Sequence, residues 1–209
     1  MDHPPRPQRE ADLIEYYDNE IRERAARELP APRLQRRAEF IELLRRESVP
    51  DLLEIGCGPG RDGLAFAAAG LAYTGVDLAP QSVAVTRALG LDTHRASVLE
   101  LPFEDASFGA GWTMSTLLHI ADADLTAALT EIVRVLRPGA PLAIGLWGEQ
   151  HGGEQLWDNG SGHGPARFFS FRSDDDVRAE LRRHGELEQW LTWPGESRWH
   201  YQWAILRLR

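Results

Sequence analysis

Apolar positions along the chain follow two periods. From Glu10 to Leu29, Leu13, Tyr16, Tyr17 and Ile21 recur at helical spacing, which predicts an amphipathic helix stopped by Pro30-Ala-Pro32. The proline-rich residues 1–9 before it are expected to be loose. A second helix is expected over 33–47, with Leu34, Phe40, Ile41 and Leu44 on its apolar side. Short apolar runs then alternate with helical ones. Asp51–Gly56 reads as a strand, Leu64–Ala69 as a helix of small residues, and Ala72–Val76 as a strand ending at Asp77. Pro80 suits the first turn of a helix that runs to Leu89 and is closed by Gly90. Thr93–Val98 and Ser107–Met114 are the next expected strands. A helix starting at Asp122 carries Leu125, Ala128, Leu129, Ile132, Val133 and Leu136 as one stripe and ends at Arg137-Pro-Gly139. Pro141–Trp147 is an apolar strand, and residues 148–166, rich in glycine, read as one long loop. Ser173 followed by Asp174, Asp175 and Asp176 marks a helix start, with that helix ending near Gly185. Glu188–Trp193 and Trp199–Leu208 read as an antiparallel hairpin. Strand and helix alternating at these lengths imply an α/β fold, a parallel sheet wrapped by helices.

Charge and composition narrow the function classes. The formal net charge of −9 argues against a chain whose main task is gripping phosphate backbones, so no nucleic-acid partner is expected. No apolar run approaches the ~18–20 residues that span a bilayer. The first ten residues hold no apolar segment of a secretory signal, so the expectation is a cytoplasmic chain without a membrane partner. Cys57 is the single cysteine, which excludes an intramolecular disulfide and an all-cysteine metal site. All 23 basic residues are arginine, so Schiff-base and phosphate-loop lysine chemistry are excluded. His151 and His163 lack acidic or cysteine partners at ligand spacing, and no metal is expected.

The densest chemical signal is Glu54-Ile-Gly-Cys-Gly-Pro-Gly60, set between a strand and a helix. Glycines there let the backbone turn tightly and approach a ligand, while the next helix aims its first N–H groups at it. Asp77, 19 residues after Gly58 at the end of the second strand, is placed to accept two hydrogen bonds from a ribose diol. Gly58, Gly60 and Gly63 also satisfy the dinucleotide pattern, so the glycines alone leave a nicotinamide cofactor open. Glu54 would repel a pyrophosphate but could help hold an ammonium.

Together with Arg134-Val-Leu-Arg-Pro-Gly139 and Leu101-Pro-Phe-Glu-Asp-Ala-Ser-Phe108, this motif resembles the class I S-adenosylmethionine-dependent methyltransferases, in particular the small-molecule branch with a ubiquinone/menaquinone-methyltransferase-like core. The resemblance is strong over residues 50–147. It implies a Rossmann-like, seven-stranded, mostly parallel sheet with an antiparallel C-terminal strand, helices on both faces and an N-terminal helical lid. Residues 1–48 would be the lid segment and 49–209 the methyltransferase domain, in one compact unit. Carried over by position, Glu54, Gly56, Cys57 and Gly58 would line the methionine end of the cofactor, and Gly60 would be a further cofactor-binding residue. Asp77 would hold the ribose hydroxyls, Leu78 would pack on the adenine ring, and Met114 would lie beside the sulfonium. Ser97-Val98 stands where the family usually has an acid followed by an apolar residue at the adenine edge, so the acid is missing here. Gly109 likewise stands where aspartate is common.

His119 follows the fourth expected strand, at the carboxyl edge where open parallel sheets bind ligands, and is the candidate general base. Tyr16 and Tyr17 lie on the helix that lids the cofactor in the family, and Trp147 and Trp157 flank the glycine-rich loop as pocket candidates. The expected activity is transfer of a methyl group from S-adenosylmethionine to a small-molecule acceptor, leaving S-adenosylhomocysteine. A methyltransferase acting on protein or nucleic acid and a non-enzymatic cofactor-binding protein are the alternatives.

Overall fold

The structure is a computed structural model, and it describes residues 3–195 and 198–209. Its helices are α1 (Arg6–Ala26), α2 (Ala31–Arg46), α3 (Arg61–Ala68), α4 (Pro80–Ala88), α5 (Asp122–Val135) and α6 (Asp174–His184). The strands are β1 (Asp51–Ile55), β2 (Ala72–Asp77), β3 (Asp92–Arg95), β4 (Gly111–Met114), β5 (Pro141–Gly148), β6 (Gly153–Trp157), β7 (Arg167–Phe171), β8 (Gly185–Pro194) and β9 (His200–Leu208). Seven of them form one sheet in the order β3-β2-β1-β4-β5-β9-β8. The pairs from β3 to β5 are parallel, and β9 runs antiparallel between β5 and β8. The order reverses between β1 and β4. That reversal opens a crevice at the strands' carboxyl ends, the place where doubly wound sheets bind ligands.

Alternation along the strands distributes two cores. Leu53, Ile55, Leu142 and Ile144 face the stripe of α5 (Leu125, Leu129, Ile132), while Leu52, Trp112 and Trp203 meet Phe40 and Leu44 of α2 and Phe66 of α3. The two N-terminal helices therefore do different things. α2 is a layer of the core, fastened by buried Asp62, which accepts from Arg33 Nη2 (2.5 Å), Arg37 Nη1 (2.8 Å) and Trp112 Nε1 (3.0 Å). Burial alone would raise the Asp62 carboxyl, but the two guanidiniums hold it below the usual carboxylate range. α1 instead lies across the crevice.

Several boundaries differ from the sequence reading. α1 begins at Arg6, inside the segment expected to be loose; Met1 and Asp2 lie outside the described residues. The fourth strand starts at Gly111 rather than Ser107, because Phe108 already bonds the end of α5: its N–H donates to Val135 O, and Arg137 N donates to its carbonyl. β3 stops at Arg95, and Ser97 enters a turn closed by Glu100 N to Ser97 O. Residues 148–166 are not one loop. β6 pairs antiparallel with β7, and only 158–166 connect them. Gly152 and Gly153 precede β6 and no apolar alternation marks it, so the glycine pattern masked the strand.

Candidate functional site

β1 ends in a turn that three glycines make possible. Gly56, Gly58 and Gly60 have φ of 77°, 51° and 78°, a region side chains rarely adopt. At Gly56 the constraint is also steric: a Cβ would stand 1.9 Å from Thr116 Oγ1, which donates to Ile55 O and locks the β4 turn against β1. Asp77, on the neighbouring strand, is fixed by two backbone donors, Gly58 N to Oδ2 (2.7 Å) and Ala79 N to Oδ1 (2.9 Å). Burial still raises its carboxyl above the ordinary value, against the pull of those N–H groups. Each oxygen keeps a lone pair for a further donor.

The crevice encloses about 980 Å³ of empty space, part of it open to solvent. Gly56, Gly58, Asp77, Leu78, Ser97 and Val98 line one side; Met114, Ser115, Thr116 and His119 line another. Ser115 follows β4 with φ of 57°, a strained position for a non-glycine residue and one that turns the chain into the pocket wall.

The roof is α1. Glu10, Tyr17 and Arg24 are spaced by sevens, so they share one helix face with Leu13 and Ile14, and all five line the crevice. Glu10 Oε1 accepts from Ser97 Oγ at 3.0 Å. Arg24 lies over the Tyr17 ring at 4.9 Å, donates to buried Glu20 at 3.2 Å and overhangs Gly58, its Nε 3.9 Å from where a Cβ would be. The helix is tied down along its length: Arg9 to Asp124 (3.0 Å), Gln81 N to Asp18 (2.8 Å), and Tyr16 to Asn159 and Ser161.

His119 sits on a 3-10 turn, Leu117–His119. Its Nδ1 is 2.8 Å from Phe168 O, an acceptor only, so Nδ1 carries the proton and Nε2 accepts from Tyr17 Oη at 2.7 Å. Tyr17 Oη in turn accepts from Arg167 Nη1 at 3.2 Å. Arg167 is packed over the Tyr16 ring at 3.8 Å and is itself buried. Burial, with the charges of Arg167 and Arg24, pushes His119 down to about 3, despite the opposing Phe168 carbonyl. The imidazole is therefore neutral at pH 7.

The structure brings together Gly56, Gly58, Asp77, Leu78, Ser97, Val98, Met114, His119 and Tyr17. It places the other expected residues behind the walls. Glu54 is 1% exposed and accepts from Tyr73 Oη at 2.7 Å; burial and the nearby Asp62 charge raise it well above the carboxylate range. Cys57 is buried, which raises its thiol far from any nucleophilic form. Gly60 precedes α3 and packs on Thr86 and Leu91. Tyr16 is buried against Arg167 and residues 159–161. Trp147 packs on Tyr201 at 5.1 Å, and Trp157 on Phe169 and Trp199 at 5.3 and 5.0 Å, so these tryptophans extend the core. Glu10, Arg24 and Arg167 escaped the sequence reading. The seven-residue spacing 10–17–24 was the available signal for two of them. Glu20, Glu23 and His163 also converge, but Arg24 and Arg27 already neutralise Glu20, and Arg27 binds Glu23.

Residues 52–139 match the family model described as a methyltransferase domain. Those residues carry a methyltransferase domain. The 27-O-demethylrifamycin SV methyltransferase of Amycolatopsis mediterranei is 36% identical over 150 residues, 64% of this chain and 53% of that protein. An O-methyltransferase of Aspergillus nomiae is 33% identical over 140 residues, 63% of this chain and 60% of its own length. The chain thus spans between half and two thirds of these two relatives. In fold, the chain resembles the 1,6-didemethyltoxoflavin-N1-methyltransferase of Burkholderia thailandensis, solved with 1,6-didemethyltoxoflavin and S-adenosylhomocysteine. That comparison has a TM-score of 0.74 at 20% identity and covers 100% of this chain and 93% of the other. A [4+2]-cyclase shares the fold at a TM-score of 0.64 and 20% identity, covering 77% of this chain and 74% of its own, so fold alone does not fix the chemistry. Among the described residues, no helix is long and apolar enough to cross a membrane.

Proposed function

We propose that the chain transfers a methyl group from S-adenosylmethionine to a small organic acceptor, with a hydroxyl oxygen as the favoured nucleophile. The two relatives named above, an O-methyltransferase and a 27-O-demethylrifamycin SV methyltransferase, support the oxygen. The observation that carries the reading is the donor and acceptor set of the crevice. A carboxylate pinned by two backbone N–H groups has lone pairs free for a ribose diol, apolar Leu78 and Val98 line the crevice beside it, and the Arg24 guanidinium overhangs the glycine turn. This set fits a nucleoside bearing a carboxylate tail. Bound there, S-adenosylmethionine supplies a methyl group already activated on a sulfonium.

The chain's own residues then have three tasks. Asp77, Arg24 and the glycine turn would hold the cofactor, while Glu54 accepts from Tyr73 behind that wall. α1, with the 158–166 segment bonded to it, acts as the lid and excludes water, while α2, expected as part of the same lid segment, belongs to the core. Tyr17 lines the space where the acceptor would lie, and His119 fixes the Tyr17 hydroxyl there. A base works best with a pKa near the operating pH, so a neutral imidazole held near 3, its Nε2 already taken by the Tyr17 hydroxyl, is a weak proton acceptor and serves to fix that hydroxyl. Proximity and alignment, worth up to ~7–11 kcal/mol in well-oriented reactions, carry most of the rate. Calorimetry with S-adenosylhomocysteine and with NAD is the test: micromolar binding of the first and none of the second is expected. NAD binding in its place would overturn the reading.

A further inference from the structure

Beyond Asp77 the crevice continues toward the edge of the sheet, where β3 lies beside β2 and Arg95 pairs with Asp77. The walls of this recess are apolar: Leu78, Ala96, Val98 and Leu99, with Leu13 of α1 above. A flat heterocycle suits such walls. Ser97 and Glu10 stand beside these walls, and Arg6, Arg9 and Asp124 line the same crevice. The Ser97 hydroxyl is already engaged, because it donates to Glu10 Oε1 at 3.0 Å and accepts from Leu99 N at 3.4 Å. Oε1 also has Arg6 Nε at 3.8 Å, too far for a hydrogen bond. Among the described residues, Oε2 of Glu10 meets no donor.

A carboxylate oxygen accepts hydrogen bonds and cannot give one. Facing a heterocycle's edge, it is satisfied by an exocyclic amino group and repelled by a carbonyl oxygen at the same position. The recess therefore discriminates by donor against acceptor, because a mismatched polar group at the half-buried Glu10 carboxylate is left without its partner. We propose that Glu10, delivered by α1, selects a cofactor whose base carries an exocyclic amine, and so couples recognition of the base to closure of the roof. This rests on the methyl-donor reading and adds the residue that reads the base. Ser97 is a positioning residue: its hydroxyl holds the Glu10 carboxylate against the recess.

The coupling has a structural basis. Glu10 and Ser97 are 87 positions apart in sequence and meet only when α1 lies across the crevice. An enzyme with α1 raised would keep Asp77 and the apolar walls but lose the acceptor for the amine. Binding of the amino base therefore favours the closed roof, and a base without the amine does not.

Calorimetry on the full chain tests this with two probes, S-adenosylhomocysteine and S-inosylhomocysteine, which differ in an amino against an oxo group on the base. The wild type is expected to prefer the adenosyl compound by about 10- to 100-fold, the range of one hydrogen bond to a charged group. Glu10→Gln offers both a donor and an acceptor, so its preference is expected to fall to about threefold or less. Thermal melts without ligand establish that the variant folds. Hydrogen exchange in α1 supplies a second readout, with protection by the adenosyl compound and weaker protection by the inosyl one. A Glu10→Gln protein that keeps the wild-type preference overturns the assignment of Glu10. A folded wild type that binds neither compound overturns the methyl-donor reading itself.

Discussion

Protonation of His119 should be measurably expensive, and the cost follows from its surroundings. Its Nε2 is filled by the Tyr17 hydroxyl, and the charges of Arg167 and Arg24 lie nearby, so a proton can be added only by breaking a hydrogen bond beside two cations. The folded value near 3 lies below the ordinary 6.5 of the unfolded chain. Below pH 6.5 the unfolded state therefore binds more protons, and stability is lost as pH falls toward 3. Each unit in that window is worth about 1.4 kcal/mol, so moving from pH 6.5 to 4 removes up to about 3 kcal/mol through this one group. Transient opening of the roof lets water reach the ring and makes that an upper bound. His119→Gln can still donate to Phe168 O and accept from Tyr17, yet it does not titrate. Urea unfolding of both proteins from pH 7 to pH 4 is the assay. The wild type should lose about 2–3 kcal/mol more than the variant, while other carboxylates cancel in the difference. Parallel stability curves would refute a buried neutral imidazole. Single-turnover methyl transfer provides the functional counterpart. The wild-type rate should show no titration limb near pH 6.5, and a limb there that vanishes in His119→Gln would make the residue a working base.

Further outcomes follow from other contacts. Asp77→Asn keeps the size but turns an amide NH₂ toward one of the two backbone donors. S-adenosylhomocysteine affinity should fall by about 2–4 kcal/mol by calorimetry, and an unchanged Kd would remove Asp77 from the site. Arg24→Gln should weaken S-adenosylhomocysteine by about 10- to 100-fold but barely change 5′-methylthioadenosine, which lacks the carboxylate. Equal losses for both ligands would mean that Arg24 only supports the roof. Gly56→Ala places a methyl on Thr116 Oγ1, 1.9 Å away, at a φ of 77°, and should abolish binding and lower the melting temperature. Asp62→Asn leaves Arg33 and Arg37 without their buried partner and should cost about 3–5 kcal/mol in urea unfolding.

The sheet and its crevice were legible because their signals are local. Strand ends at Gly56 and Asp77, the stripe of α5 and the cap at Ser173 each need only a few neighbouring residues to be recognised. Side-chain direction was less legible. Glu54 was expected beside the cofactor, but strand alternation and the hydroxyl of Tyr73, 19 positions away, draw it inward. Trp147 and Trp157 flank a glycine-rich stretch and so suggested a pocket, yet Tyr201, Phe169 and Trp199 from distant segments enclose them. The missing acid at Ser97 looked like a gap in base recognition. Its filling by Glu10 depends on how α1 crosses the sheet, which no local pattern encodes.

The short joint between α1 and α2 makes the roof a lever. Ala26 ends α1 and Ala31 begins α2, whose Phe40 and Leu44 are anchored in the core. Opening by rotation about that joint moves each lid residue in proportion to its distance from it. At 1.5 Å per residue, Glu10 lies about 24 Å along the axis from Ala26, and Arg24 about 3 Å. A rotation of ~10° would swing Glu10 by about 4 Å, beyond hydrogen-bond reach, while Arg24 moves by about 0.5 Å. Opening therefore frees a bound nucleoside from the base end first and leaves its carboxylate end held, so departure proceeds as an ordered peel instead of a single release.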